Sequence, residues 1–295
     1  MVCISAAAQT KLWISLALSM VGGYVDVICF VRYSTFVATM TGNLVVTGQT
    51  FFEVVHAPLK FGGRAMPGLI AEHVAPATAF RLVVFRCSVL FFNCLGALGY
   101  CALHKRIPIG TARAAAPFLA LFSLMPDAAI AFGFDHDSAM AMGSVSFLAF
   151  ALGFTHFMCS PAAEGSRLKG VTMAATGHMH GVTKLNYKLA SGEGLKQAEW
   201  DKYAISMTIT VGMAFGAILG AAALHLNPLG KDTMDFTLLP VAVTLLFALY
   251  AHDACVPPPG GWPEGSVAFT DAATSNSLSM LTEPLRGSVM TTQPA

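Results

Sequence analysis

Asp26 and Arg86 are the residues whose surroundings most demand a chemical explanation. Each sits inside an apolar stretch of about twenty residues, Leu12–Val31 and Leu82–Leu103. A charge at the centre of a bilayer costs of order 2.5–3.5 kcal/mol on insertion scales, so it persists where it pairs or lines a wet cavity. Asp26 lies about five residues before the end of its stretch and Arg86 about five after the start of its own. That spacing puts both at similar depth near one face and predicts an ion-pair gate or a proton-linked site. The blander alternatives are a structural bridge, or an arginine reaching the interface along its methylene stem.

Two further segments carry polar groups at helix length: Phe36–Phe52, FVATMTGNLVVTGQTFF, and Val171–Leu189, VTMAATGHMHGVTKLNYKL. Both are rich in Thr, interrupted by Gly and short for a crossing. The second is too polar to face lipid, where its hydroxyls and imidazoles would lack partners. Half-helices, re-entrant segments and buried full helices all fit. A break in such a helix leaves N–H or C=O groups open to an ion or anion. Thr41, Gly42 and Asn43 in the first segment, and Thr176, Gly177 and His178 in the second, are therefore candidate pathway residues. Asn93 and His156, inside apolar stretches of their own, join them. Close helix packing through small residues is the competing role, and the one assigned to Gly96, Gly99, Gly216 and Gly220.

Other chemistry is poorly served. His178 and His180 are two apart and point to different sides of a helix. No H-x-x-x-H or C-x-x-C spacing occurs, so neither a metal nor a cofactor is expected. Cys87, Cys94 and Cys101 recur every seven residues as small packing groups. Asp127, after Pro126, reads as a third membrane carboxylate or the cap of a broken helix. His73, His136 and His252 read as solvated loop residues. With no nucleophile–base motif, the chain is not expected to be an enzyme.

The elements that position these groups follow from composition. Of 295 residues, 55% are hydrophobic and only 11% charged, against about 25% charged in soluble domains. The net charge of +1 leaves no basic stripe for nucleic acid. This chemistry predicts an all-α, polytopic transmembrane helix bundle whose main partner is the lipid bilayer. Six crossings are expected, at Leu12–Val31, Leu82–Leu103, Ala112–Phe134 (interrupted at Pro126-Asp127), Ala139–Cys159, Tyr203–His225 and Phe236–Tyr250, plus the two short Thr-Gly segments. Residues 1–11 form an N-terminal segment without a cleavable-signal pattern, residues 12–252 the membrane domain, and residues 253–295 a Ser/Thr/Pro-rich disordered tail.

The membrane domain divides into two repeats, about 12–134 and about 139–252. Thr41-Gly42-Asn43 matches Thr176-Gly177-His178; Gly23–Asp26 matches Gly153–His156; Gly99–His104 matches Gly220–His225. The matches keep their order at offsets of about 121 to 135 residues. If the Thr-Gly segments do not cross, the repeats are inverted; if they do, the repeats are parallel. Lysine and arginine positions favour the first. Six crossings put Lys11, Lys105, Arg106, Arg113, Arg167, Lys169, Lys184, Lys188, Lys196, Lys202 and Arg286 on one side. Arg32, Lys60, Arg64, Arg81 and Lys231 then fall on the other. Both termini are expected in the cytoplasm, with the plasma membrane as location.

The block GGYVDVICF followed by FVATMTGNLVVTG resembles the YoaK family of bacterial integral membrane proteins, over roughly residues 12 to 250. The family's Gly-x-x-Asp helix and TGN segment correspond here to Gly23–Asp26 and Thr41-Gly42-Asn43. Its second half corresponds more loosely, to Gly153–His156 and Thr176-Gly177. Thr155-His156 stands where Gln-Asn is usual, and His178 where a Thr or small residue is usual. The resemblance implies a six-helix type of membrane protein and no substrate. The functional expectation is a small-solute or ion transporter with a polar pathway at the repeat interface, compatible with a homo-oligomer. The alternative is a non-transporting membrane scaffold whose Gly faces and tail bind partners.

Overall fold

The computed structural model describes residues 6–56, 76–160, 163, 167–168, 175–226 and 237–257. Among these residues there are eight helices and no strand: α1 Ala6–Tyr33, α2 Met40–His56, α3 Pro76–Arg106, α4 Thr111–Ala131, α5 Ala139–Cys159, α6 Ala175–Ala190, α7 Gln197–Leu226 and α8 Leu239–Cys255. Five of them, α1, α3, α4, α5 and α7, are long and apolar enough to cross a membrane. Helix α8 is apolar but shorter, at 17 residues. The proposed tail lies beyond the described residues except for its first five.

Local sequence sets several boundaries. Ser138 begins α5 by accepting a hydrogen bond from the Ala141 N–H at 3.1 Å. Gly110 enters α4 with a φ of 100°, in the left-handed region that L side chains avoid. Helix α4 then runs unbroken through Pro117 and Pro126, so the interruption expected at Pro126-Asp127 does not occur. A proline frees one carbonyl in a helix, and in a membrane bundle neighbouring groups can re-satisfy it.

Helices α1 and α7 pack along their length, as do α3 and α5. Glycine makes both contacts possible. A Cβ on Gly23 would strike the Met213 carbonyl, and one on Gly216 the Met20 carbonyl. On the other pair, a Cβ on Gly153 would strike the Asn93 carbonyl, and one on Gly96 the Phe150 carbonyl. Backbone therefore meets backbone, the packing that small residues allow where no hydrophobic driving force acts between helices. Ser19, Met20 and Tyr24 meet Gly212, Gly216 and Gly220 in the same order, so α1 and α7 run parallel. Helices α4 and α8 pack on each other, and on α5 and α1 respectively; α2 lies on α3 and α6 on α7.

The starts of α1, α4 and α7 and the finishes of α3, α5 and α8 share one end of the bundle, hereafter the N-terminal end. The opposite end gathers the finish of α1 and α4 with the start of α8. Leu18, Ile28, Leu148, Leu152, Leu245 and Leu249 fill the interior. Phe91, Leu98, Phe118, Ile218 and Phe247 point outward, each more than half exposed. An apolar exterior over a packed interior is what a bilayer solvent selects.

Candidate functional site

Between α1 and α2 the chain does not leave the bundle. After Tyr33 it turns at Ser34, whose φ of 51° is positive, and residues 34–39 fold back beside α1. Four buried polar side chains hold this turn. Asp26 Oδ1 accepts from the Val37 N–H at 2.9 Å and the Ala38 N–H at 2.7 Å, and its Oδ2 accepts from the Thr39 hydroxyl. Asn43 Oδ1 accepts from the Thr35 hydroxyl at 2.9 Å and the Phe36 N–H at 2.8 Å, while its Nδ2 donates to the Phe36 carbonyl. Asn93 Nδ2 donates to the Val37 carbonyl at 3.3 Å. Arg86, fully buried, donates from Nη2 to the Ser34 carbonyl at 2.9 Å and from Nη1 to the Val46 carbonyl at 3.2 Å and the Thr50 hydroxyl.

The physical reason is the backbone. Irregular chain at membrane depth must have its N–H and C=O groups satisfied by protein. Here side chains from α1, α2 and α3 do that for residues 34 to 38. The sequence brought Asp26 and Arg86 together as an ion pair, but Asp26 bonds Val37, Ala38 and Thr39, not Arg86. The two work on the same turn from different sides. Thr41 points outward, and a Cβ on Gly42 would strike the Phe36 ring. A groove of about 340 Å³ opens beside Asp26, walled by Gly23, Val27, Phe30, Phe36, Met213 and Ala217.

From this turn α2 travels back along α3 to the opposite end, since Val46 and Thr50 lie at Arg86 while Val37 lies at Asn93. Helix α6 does the reverse. His178, buried, shares a hydrogen bond of 3.1 Å between its Nδ1 and Ser206 Oγ. Further along, Asn186 accepts from the Tyr203 hydroxyl at 3.0 Å and Lys188 meets Glu199 at 2.6 Å, so α6 runs towards the start of α7 and the N-terminal end. Its Glu199 partner, by hydrogen bond and then by charge, raises the Lys188 pKa. Thr176 and Gly177 lie in the first turn of α6; their side chains, and residues 171–174, are outside the described set. His156 sits in the last turn of α5, and its Nδ1 is buried without a hydrogen-bond partner among the described residues.

The profile of a family described as a protein of unknown function, DUF1275, matches residues 14–291. The chain belongs to that family. No curated protein and no solved structure shows a significant similarity to it. The match reaches further than the likeness seen in the sequence motifs and includes most of the C-terminal tail.

This DUF1275 chain also holds two charged clusters that sequence reasoning missed. At the opposite end, Asp127 of α4 accepts from the Leu238 N–H at 2.5 Å and the Thr237 hydroxyl at 3.3 Å, and lies 3.5 Å from Arg32 Nη1. At the N-terminal end, Asp253 of α8 accepts from the Arg113 N–H at 2.8 Å and lies 3.7 Å from Arg167 Nη1. Each carboxylate thus sits at the N-terminus of the other's helix, where backbone N–H groups and the helix dipole favour an anion. Asp127 therefore caps a helix, but α8 and not its own. His252, read as a solvated loop residue, is in α8 and only 4% exposed. No spacing rule joins residues 32 and 127 or 167 and 253. The readable signal was positional: an Asp near the end of the last helix in each half.

Proposed function

We propose that this chain is a transporter of a small solute or ion, built from two inverted repeats with six crossings. The supporting observation is the pair of short helices. Helix α2 starts at the depth of Asp26 and Asn93 and exits to one end, while α6 exits to the other. Opposed short helices that begin inside the bundle and leave at opposite ends are similar to the arrangement in which discontinuous helices serve a midplane site. The packing pairs favour the same reading, because exchanging α1–α4 with α5–α8 turns α1–α7 into α3–α5, α4–α5 into α1–α8 and α2–α3 into α6–α7, and leaves α4–α8 unchanged. Helix α8 is then the sixth crossing. Asp26, Thr41, Gly42, Asn43, Arg86, Asn93, His156, Thr176, Gly177 and His178 are the residues assigned to the pathway and its supports. On this reading the Lys/Arg bias places the N-terminal end in the cytoplasm of a plasma-membrane protein, and the likeness to the YoaK family belongs with it. No enzymatic step is included. The scaffold alternative draws less support, since Gly23, Gly96, Gly153 and Gly216 are already used inside the chain.

Single-cysteine accessibility tests the reading. In a Cys-free background, a cysteine at the outward Thr41 reacts with a membrane-impermeant thiol reagent from one side, and those at Thr176 and His178 from the other. Labelling of all three from the same side rules out inverted half-helices, and labelling of none rules out a wet pathway.

A further inference from the structure

We propose that His252 is a proton-accepting site whose protonation releases the Arg167 latch at the N-terminal end of the bundle. His252 Nδ1 lies 2.9 Å from Asp253 Oδ1. An ionised carboxylate only accepts, so that contact assigns the ring hydrogen to Nδ1 and leaves Nε2 of the neutral imidazole as a bare lone pair. Nε2 is buried and has no hydrogen-bond partner among the described residues. A buried acceptor left open is costly and calls for an explanation. The ring lines a small polar cavity with Tyr100, His104, Thr111, Arg167 and Asp253. Its volume of about 10 Å³ is close to the room that one water needs. The site therefore takes a water molecule or the proton of a hydronium. In the second case an N–H bond forms at Nε2 as the hydronium O–H bond breaks, leaving water behind and one positive charge on the ring.

That charge lands where another cation already sits. Asp253 Oδ1 is shared between His252 at 2.9 Å and Arg167 Nη1 at 3.7 Å. Oδ2 is committed to the Arg113 N–H at 2.8 Å. An imidazolium strengthens its own short contact and repels the guanidinium, so the longer contact yields. Arg167 also donates to the Asp253 and Val256 carbonyls, at 3.2 and 2.9 Å, and thereby ties the chain beyond α5 to the end of α8. The charged and titratable groups around His252 are Asp253 and Arg167, Tyr100 and His104 of α3, Cys159 of α5, and Arg113 of α4, whose guanidinium lies over the Tyr250 ring.

The opposite end is built differently. There Asp127 holds Arg32 and caps α8, but the residue before it is Pro126, where His252 precedes Asp253. The two carboxylate–arginine pairs thus differ in the residue before the aspartate, proline at one end and histidine at the other; His136, against the Tyr33 ring, is the histidine near the Arg32–Asp127 pair. This inference stands independently of any solute, because its readout is exposure and not flux.

The test uses the full chain in membrane vesicles with one reporter, Ala112→Cys in a Cys-free background. Ala112 lines the cavity and is 1% exposed. Labelling by an impermeant maleimide is normalised, at each pH, to the denatured protein. We expect the normalised rate to rise by about 5-fold or more, the lower bound of typical coupling, when the pH is lowered from about 8 to about 5. His252→Asn, whose amide can still donate to Asp253, leaves the rate flat with pH, and His252→Gln serves if the first variant does not fold. A flat wild type, or the same rise in either variant, overturns the proposal. Independently, ¹⁵N-histidine spectra of the wild type at the upper pH must contain an imidazole protonated on Nδ1; spectra with every ring protonated on Nε2 overturn it as well.

Discussion

Replacing Asp26 separates its role as a hydrogen-bond acceptor from its role as a charge. Its carboxylate accepts from two backbone N–H groups and one hydroxyl, all within the turn at residues 37–39. Asp26→Ala leaves the Val37 and Ala38 N–H groups without an acceptor, and each orphaned buried donor costs about 1–3 kcal/mol. The expected loss is therefore about 2–6 kcal/mol, enough to melt the turn. Asp26→Asn keeps Oδ1 for both N–H groups and offers Nδ2 to the Thr39 oxygen. Three charge-assisted bonds become neutral ones, a loss of roughly 1 kcal/mol each. Removing a charge from membrane depth returns about 2.5–3.5 kcal/mol. The two nearly cancel, so Asp26→Asn should unfold within about 1 kcal/mol of wild type. Thermal midpoints in detergent, read by size-exclusion chromatography of heated samples, distinguish the cases. If Asn unfolds as easily as Ala, the charge holds the turn and the acceptor argument is refuted. If Asn is stable, it becomes the clean variant for asking whether flux needs the charge, and the proposed pathway predicts that proton-linked flux is lost.

Two further substitutions test the packing and the turn. Gly153→Ala drives a Cβ into the Asn93 carbonyl, whereas Gly143→Ala, on the same helix, meets open space. The first should destabilise by roughly 1–3 kcal/mol or more and the second stabilise by about 0.5–1 kcal/mol, in the same thermal assay. Arg86→Lys replaces a planar fork that spans Ser34, Val46 and Thr50 with a point donor. It should lose about 1–3 kcal/mol for the group left open, seen as a lower midpoint and a smaller monodisperse peak.

Much of the fold was legible because the bilayer imposes one strong rule. Runs of about twenty apolar residues became α1, α3, α4, α5 and α7, and the short Thr-Gly segments became the short helices α2 and α6. Gly96 and Gly216 were read as packing residues, and they are. The misreadings share a cause. Pro126 was taken as a break, yet the helix absorbs it. His252 was taken as solvated because it follows the last apolar run, but Arg167 and the start of α4 cover it. The Asp127–Arg32 and Asp253–Arg167 pairs join residues about ninety apart, across helices whose neighbours no periodicity names. Local pattern reports which face is apolar; it does not report which helix meets it.

The buried polar residues carry a further consequence. Read from sequence, Asp26, Asn43, Arg86 and Asn93 are candidates for binding a solute. In the fold they bind the chain itself: Asp26, Asn43 and Arg86 spend most of their capacity on residues 34 to 50, and Asn93 adds one bond to Val37. A membrane protein that keeps irregular backbone at depth has to supply these partners before anything else can bind there. The Gly-x-x-Asp and TGN motifs are therefore the signature of the turn. The groups that contact a solute would be those the turn presents: the groove beside Asp26 and the outward Thr41. This separates two phenotypes. Substitutions at Asn43 or Arg86 should cost folding before they cost selectivity, while substitutions along the groove at Val27 or Ala217 should leave stability nearly unchanged. If a groove substitution changes neither flux nor labelling at Thr41, the solute path lies elsewhere in the bundle and the turn is structural alone.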